Sequence, residues 1–299
     1  MNQLKIPGTD RIAEVGWIKA NQWLLLRRLS QLSLLGLFLL GPLAGLWIVK
    51  GNLASSLTLE VLPLTDPYVL LQSFFAGHIM QTTAITGALI VLIFYLLLGG
   101  RVYCSWVCPI NIVTDVANWL RIKLAIRGHG MHFSIQTGYW FFATTLILAL
   151  ISKSIVWELV NPVTMFYRSI LYGLGYAWLM IIAIFFFDLF VSRRGWCGYL
   201  CPVGIFYGLL GSKSLLRITA KNREQCDDCM DCFDVCPEPQ VIRPALKKLT
   251  DDKSPIINSG RCTNCARCID VCNQDVFSFT TRFNQQDGMH LHQQKEIMP

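Results

Sequence analysis

The chain has 299 residues, of which 53% are hydrophobic and only 15% charged, with a mean hydropathy of +0.45. That balance excludes a wholly soluble protein and indicates the membrane class. The net charge is +7, but the basic residues sit beside apolar stretches instead of forming one separate patch, so they read as topology signals and nucleic-acid binding is not expected.

Residues 1–30 form a mixed leader. Behind Arg11, the hydrophobic Trp17, Ile18, Trp23 and Leu24 interleave with Lys19, Arg27 and Arg28. The pattern suits a helix lying in the lipid headgroup region; a merely solvated leader is the alternative. A signal peptide fits less well, because the next apolar stretch is of spanning length and three comparable ones follow. The four predicted spans cover about residues 32–49, interrupted by Gly41-Pro42, then 79–98, 139–157 and 174–191. Each approaches the roughly 20 residues that cross a hydrocarbon core, and a Gly-Pro step is tolerated where neighbours re-satisfy the freed carbonyl.

Orientation follows from the loops. Basic residues crowd the leader, the segment after the second span (Arg101, Arg121, Lys123, Arg127) and the segment after the fourth (Arg193, Arg194, Lys213, Arg217), whereas loops 50–78 and 158–173 hold only Lys50 and Arg168. The positive-inside rule places both termini in the cytoplasm and the two poorly charged loops outside.

The membrane part repeats. Arg101-Val-Tyr-Cys104-Ser-Trp-Val-Cys108-Pro109 follows the second span, and Arg194-Gly-Trp-Cys197-Gly-Tyr-Leu-Cys201-Pro202 follows the fourth, 93 residues later. The outer loops correspond as well, through Asp66-Pro67 and Asn161-Pro162. Two parallel copies of helix, outer turn, helix and Cys-x3-Cys-Pro imply a pseudo-symmetry axis along the membrane normal. Cysteines at i and i+4 share a helical face, so Cys104, Cys108, Cys197 and Cys201 are expected to form one soft-metal or iron–sulfur site. Separate redox-active dithiols or small buried hydrophobes are the alternatives. Pro109 and Pro202 are expected to open the next helices.

Eight further cysteines lie in two runs, Cys226-x2-Cys229-x2-Cys232-x3-Cys236 and Cys262-x2-Cys265-x2-Cys268-x3-Cys272. In this spacing three thiolates hold one 4Fe–4S cluster while the fourth reaches a second cluster. One cluster is then assigned Cys226, Cys229, Cys232 and Cys272, and the other Cys262, Cys265, Cys268 and Cys236. Pro237 closes the first run, whereas Asn273 follows the second. A zinc knuckle pairs Cys-x2-Cys with a distant second pair and has no need of the extra cysteines, and disulfides do not suit a domain on the cytoplasmic face.

The predicted architecture is therefore an α-helical membrane protein, with four transmembrane helices in a tandem two-helix repeat and a small α+β bacterial-type two-cluster ferredoxin domain. Its boundaries are a leader at 1–30, a membrane domain at 31–215, the ferredoxin-like domain at 216–281 and a Gln-rich, disordered tail at 282–299. Quinol-site candidates are His78 at the outer mouth of the second span, Lys153 in the third and Asp188 near the inner end of the fourth, beside Arg193 and Arg194. No second histidine in a span accompanies His78, so haem b is not expected. Asp66 reads as turn chemistry. His129, His132, His290 and His292 fall in polar segments and receive no role.

These motifs, with Arg27-Arg28-Leu29-Ser30 before the first span, resemble over nearly the whole chain the NapH family, the membrane-bound ferredoxin-type subunits of periplasmic nitrate reductase systems. Related nitrous-oxide regulators and a cytochrome-oxidase assembly factor share the cysteine elements. The resemblance implies a bacterial inner-membrane quinol dehydrogenase component, feeding electrons with a periplasmic iron–sulfur protein and c-type cytochromes towards a nitrate reductase. The placement poses a difficulty, since the clusters lie inside while the acceptor lies across about 30 Å of hydrocarbon, so quinone or a partner must carry the current outward. The rival readings are a metal-handling assembly protein and a structural anchor for a redox complex.

Overall fold

A computed structural model describes residues 6–126, 133–173, 175–246 and 254–284. Arg127, the four histidines without a role and all of the polar tail beyond Asn284 lie outside them.

The chain opens with α1 (Thr9–Val15), α2 (Trp17–Ala20) and α3 (Gln22–Ala44), which runs through Pro42 without a break. An antiparallel sheet follows, β1 (Val49–Gly51), β2 (Ser55–Thr58) and β3 (Leu62–Thr65), pairing Val49 with Thr58 and Ser55 with Thr65. Next come α4 (Pro67–Phe75), α5 (Thr82–Leu98), a π-helical turn at Tyr103–Val107 and α6 (Ile110–Lys123). The second half holds α7 (Ile135–Ser152), α8 (Val156–Val160), α9 (Pro162–Tyr172), α10 (Tyr176–Phe186) continuing as a π-helical turn to Val191, a further π-turn at Trp196–Leu200, and α11 (Pro202–Gly211). Strands β4 (Leu216–Thr219) and β5 (Ser278–Thr281) pair antiparallel around the short cysteine-bearing helices.

Two helices, Gln22–Ala44 and Ile135–Ser152, are long and apolar enough to cross a membrane, each with a mean hydropathy of 1.4. Only 22% and 11% of their apolar windows are buried, which distinguishes them from the core helices of a soluble protein. The other expected spans form shorter apolar helices, Thr82–Leu98 and Tyr176–Val191. Leu89, Phe94, Trp140, Ile151, Leu179 and Phe190 stand at least half exposed on these helices. An outward face of that composition associates with lipid.

The first span is not the separate segment expected from residue 32. Its helix begins ten residues earlier, at Gln22, because the leader residues from Gln22 on contain no helix breaker before the apolar run. Lys153 does not sit inside a span either. It takes a left-handed conformation (φ 51°) that caps α7, and it is exposed.

The chain divides into two compact units that are not contiguous in sequence. One combines the leader up to Arg27, Tyr95–Ser105 and everything described from Gly208 onward; the other combines Arg28–Phe94 with Trp106–Tyr207. In the first, Ile218, Val235, Ile242, Val271, Val276 and Phe277 form the core. The leader belongs to this unit as a docked strap. Gly8 N–H donates to Asp231 at 2.8 Å, Arg11 pairs with Asp275, the N–H groups of Trp23 and Leu24 donate to Asp270, and the Trp23 ring meets Phe279 edge-on at 5.1 Å. Neither a solvated leader nor a headgroup helix accounts for these bonds, although Trp17 and Ile18 remain 57% and 72% exposed. In the second unit, α10 packs against α9 and α6, α4 packs against α7, and Asp115 receives both Arg28 and Arg194. Gly87 on α5 lies so close to β3 that a Cβ there would stand 3.0 Å from Pro63 O, so this sheet lies directly against α5.

Candidate functional site

The eight ferredoxin cysteines gather in two groups that cross the sequence runs. Cys226, Cys229, Cys232 and Cys272 line one cavity; Cys236, Cys262, Cys265 and Cys268 line another. Each cavity thus takes three cysteines from one run and the fourth from the other. The two loops also share a backbone. Asp228 and Asn264 (φ 58° and 46°), then Met230 and Ala266 (φ 67° and 57°), are left-handed at equivalent positions 36 residues apart. Non-glycine residues rarely adopt this conformation, and its recurrence turns successive cysteines inward. Ahead of Met230 and Ala266 lie Cys229 and Cys265; after them one-turn helices (Asp231–Val235 and Arg267–Asp270) carry Cys232 and Cys268.

Burial pushes up the thiols of Cys229, Cys232, Cys236, Cys262, Cys268 and Cys272, Cys262 to about 11 and Cys232 to about 12, with Cys236 and Cys268 well above the usual range. Neighbouring cysteines add to the shift. Without a cation the thiols stay protonated, so loading with iron must release protons. Four thiol donors around a largely apolar cavity suit a 4Fe–4S cluster, and none of the twelve cysteines forms a disulfide. Among the described residues no three His, Cys, Asp or Glu side chains converge tightly enough for a single metal ion. The protein carries two 4Fe–4S binding domains, and the clusters supply one-electron transfer when bound.

The two groups differ in surroundings. Cys229 is exposed and its cavity is flanked by Asp227 and Asp228, whereas Cys265 and Cys268 are buried. Glu238, two residues after Cys236, is buried between two cations. Arg101 donates to its Oε1 at 2.8 Å, and Arg261 holds both oxygens at 2.9 Å. Ser105 Oγ donates to Thr263 O at 2.7 Å, and Asn264 Nδ2 to Leu98 O at 3.0 Å. Arg101 and Ser105 belong to the first Cys-x3-Cys-Pro element. The Arg101–Ser105 part of that element is therefore tied directly to the loop bearing Cys262 and Cys265, a connection that spacing alone does not reveal.

The paired cysteines do not lie on α-helices as expected. Cys104 and Cys197 sit inside the π-turns Tyr103–Val107 and Trp196–Leu200, and Cys108 and Cys201 follow them directly; all four are partly buried. In the second turn Cys201 N–H bonds to Trp196 O, five residues back, at 2.9 Å. Fewer than one residue in a hundred is π-helical in soluble proteins, and π-turns concentrate at functional positions. Two at equivalent places bear out the internal repeat. Pro202 is the first residue of α11 and Pro109 caps α6.

Of the three quinol-site candidates, only Asp188 is buried; its Oδ1 accepts from Trp196 N–H at 3.0 Å. Arg194 also ion-pairs with Asp115. His78 and Lys153 are exposed. Asp66, assigned turn chemistry, does cap α4, accepting from Tyr68 N–H at 2.9 Å, but it is buried and also accepts from Tyr207 OH at 3.1 Å. Burial raises its pKa to about 6 against the pull of these two bonds.

Comparison with known proteins agrees with this arrangement. A 4Fe-4S binding domain family matches residues 80–127 and 174–219, the two repeats, and a 4Fe-4S dicluster domain family matches 225–286. The methylamine utilization ferredoxin-type protein MauN of Paracoccus denitrificans is 53% identical over 90% of this chain and 94% of its own. The ferredoxin-type protein NapH of Escherichia coli is 44% identical over 95% of this chain and 98% of its own, and that of Haemophilus influenzae is 45% identical over 95% and 98%. No solved structure matches the chain. The chain belongs to the NapH/MauN family of ferredoxin-type electron-transfer proteins.

Proposed function

We propose that this protein is a membrane electron-transfer subunit that oxidises quinol and passes the electrons through two iron–sulfur clusters to partner redox proteins. The observation that carries the reading is the bonding of Arg101 and Ser105 to the cluster loop, because it sets a membrane-side cysteine element against a ferredoxin site. In this reading Cys236, Cys262, Cys265 and Cys268 hold the cluster next to the membrane element. Cys226, Cys229, Cys232 and Cys272 hold the outer cluster, from which electrons leave beside the exposed Cys229. Cys104, Cys108, Cys197 and Cys201 serve as a redox or metal site on the path. All four apolar helices cross the inner membrane, with both termini and the ferredoxin domain in the cytoplasm, as the loop charges support.

The test is electron paramagnetic resonance of the full chain in liposomes, before and after a ubiquinol or menaquinol analogue. Cluster signals should grow with quinol and fail to grow when the four paired cysteines are serine. Clusters indifferent to quinol would overturn the reading in favour of a metal-handling or anchoring protein.

Two systems compete as the one served. Periplasmic nitrate reduction, with an iron–sulfur partner and c-type cytochromes, is the expectation drawn from the NapH resemblance. The higher identity to relatives named for methylamine utilization, 53% and 49%, favours a methylamine-utilization system. Deleting the gene and comparing growth on methylamine with growth on nitrate separates the two.

A further inference from the structure

The two membrane repeats share a backbone plan but not a chemistry. Asp66 and Asn161 both cap a helix that begins with proline, accepting from Tyr68 N–H at 2.9 Å and from Val163 N–H at 3.1 Å. Around Asp66, however, stand two tyrosines whose counterparts in the other copy are not ionisable. Aligning the cysteine elements pairs Tyr207 with Thr114, and aligning the caps pairs Tyr68 with Val163. A helix cap requires only an acceptor, which Asn161 provides, so capping does not account for an acid and two tyrosines in one copy alone.

The surroundings of Asp66 form a buried polar group within an aromatic wall. Tyr207 OH donates to Asp66; Tyr68 OH bonds with Thr145 Oγ1 at 2.7 Å and accepts from Gln72 Nε2 at 3.1 Å; Gln72 Oε1 accepts from Trp157 N–H at 3.2 Å. The Tyr68 ring lies 5.8 Å from Phe142, 5.8 Å from Phe206 and 6.4 Å from Trp157. Trp157 is 4% exposed, and its indole Nε1 has no hydrogen-bond partner among the described residues. A buried donor without a partner is destabilising, and an oxygen-bearing ligand would satisfy it.

We propose that the first repeat holds a quinol head group, with Asp66 accepting the proton of a quinol hydroxyl and the Trp157 indole N–H donating to a ring oxygen. This rests on the quinol-oxidising reading above. As each electron leaves for an iron–sulfur centre, one O–H proton goes to Asp66 and onward to water. Two such steps turn one quinol into one quinone, two electrons and two protons. The groups facing Asp66 are Tyr207 from α11, Tyr68 on its own helix and, at longer range, Glu158 on α8; Cys201 faces Tyr68. Only the unprotonated carboxylate accepts, so the rate must rise with pH through the acid's own titration.

The test uses the full chain in liposomes and follows cluster reduction by a quinol analogue across pH 5–8, with dithionite reduction confirming that both clusters are loaded. Wild-type protein should show a rising limb near Asp66's titration. Asp66→Asn, which keeps the cap, should lose that limb and slow reduction by about 100-fold or more. Tyr207→Phe removes a bond that favours the carboxylate and should move the limb to higher pH. Trp157→Phe should weaken quinol binding without moving it. Clusters of wild-type protein that ignore quinol would sink the functional reading, and this inference with it. Quinol reduction that persists unchanged in Asp66→Asn and Tyr207→Phe would overturn the inference alone and leave Asp66 as a cap. Should Asp66→Asn fail to fold, the Tyr207→Phe shift decides.

Discussion

Replacing Arg101 and Glu238 separately probes the joint between the membrane cysteine element and the cluster loop. The Arg101 and Glu238 side chains are 4% and 5% exposed and Arg261 is 16% exposed, so solvent screens these charges little. Arg101→Gln removes one charge-assisted bond but leaves Glu238 held by Arg261 through both oxygens. A bond of this kind contributes about 1.5–3 kcal/mol. Glu238→Gln instead leaves two buried cations facing a neutral amide, and breaking a buried pair costs about 3–5 kcal/mol. Hydrogen exchange at the amides of residues 262–268 reads the difference as local opening. It should quicken by about 10- to 150-fold in Arg101→Gln, and more in Glu238→Gln. An equal or smaller effect for Glu238→Gln would refute the argument, because the carboxylate would then not be what holds the two arginines together. Unchanged exchange in both would mean that the element is not docked on the loop.

The crossed ligand sets predict that Cys236→Ser, although in the first run, empties the cavity shared with Cys262, and that Cys272→Ser empties the other. Each should halve iron and acid-labile sulfide while leaving one cluster's spectrum intact. Gly260→Ala should be severely destabilising, by at least about 1–3 kcal/mol, because its Cβ would strike the backbone of Gly208 and Ser212; thermal denaturation of the loaded protein in detergent measures this. Asp66 is buried, with a pKa raised from 3.8 to about 6. The folded state therefore holds its proton more tightly than the unfolded one, and the associated stability is full below about pH 4 and lost as pH rises through about 6. The span of roughly two units corresponds to about 3 kcal/mol, so the thermal stability of wild-type protein should fall relative to Asp66→Asn across that window. A constant difference would contradict the burial argument. Trp23→Ala should release the leader from Phe279 and hasten proteolysis after Lys19, measured by mass spectrometry; a trypsin-resistant leader would show that the Asp231 and Asp270 bonds suffice alone.

The 4Fe–4S domains were legible in the chain because iron–sulfur chemistry dictates cysteine spacing narrowly. Hydropathy located the apolar helices for a similar reason, since crossing lipid demands a length and composition that few other needs impose. The repeat was also legible, as its cysteine and proline positions recur at constant offset. Tertiary structure alone decided what binds these pieces together. Lone residues such as Asp231, Asp270 and Glu238 carry no periodic signal, and their partners Gly8, Trp23 and Arg101 lie more than 130 positions away. The π-turns likewise leave no mark in spacing, because i and i+4 share a face in either helix. Asp66 shows the limit most clearly. Beside Pro67 it reads as a cap, which it is, and only the fold, by bringing Tyr207 from 141 residues away, makes it a buried acid with a partner.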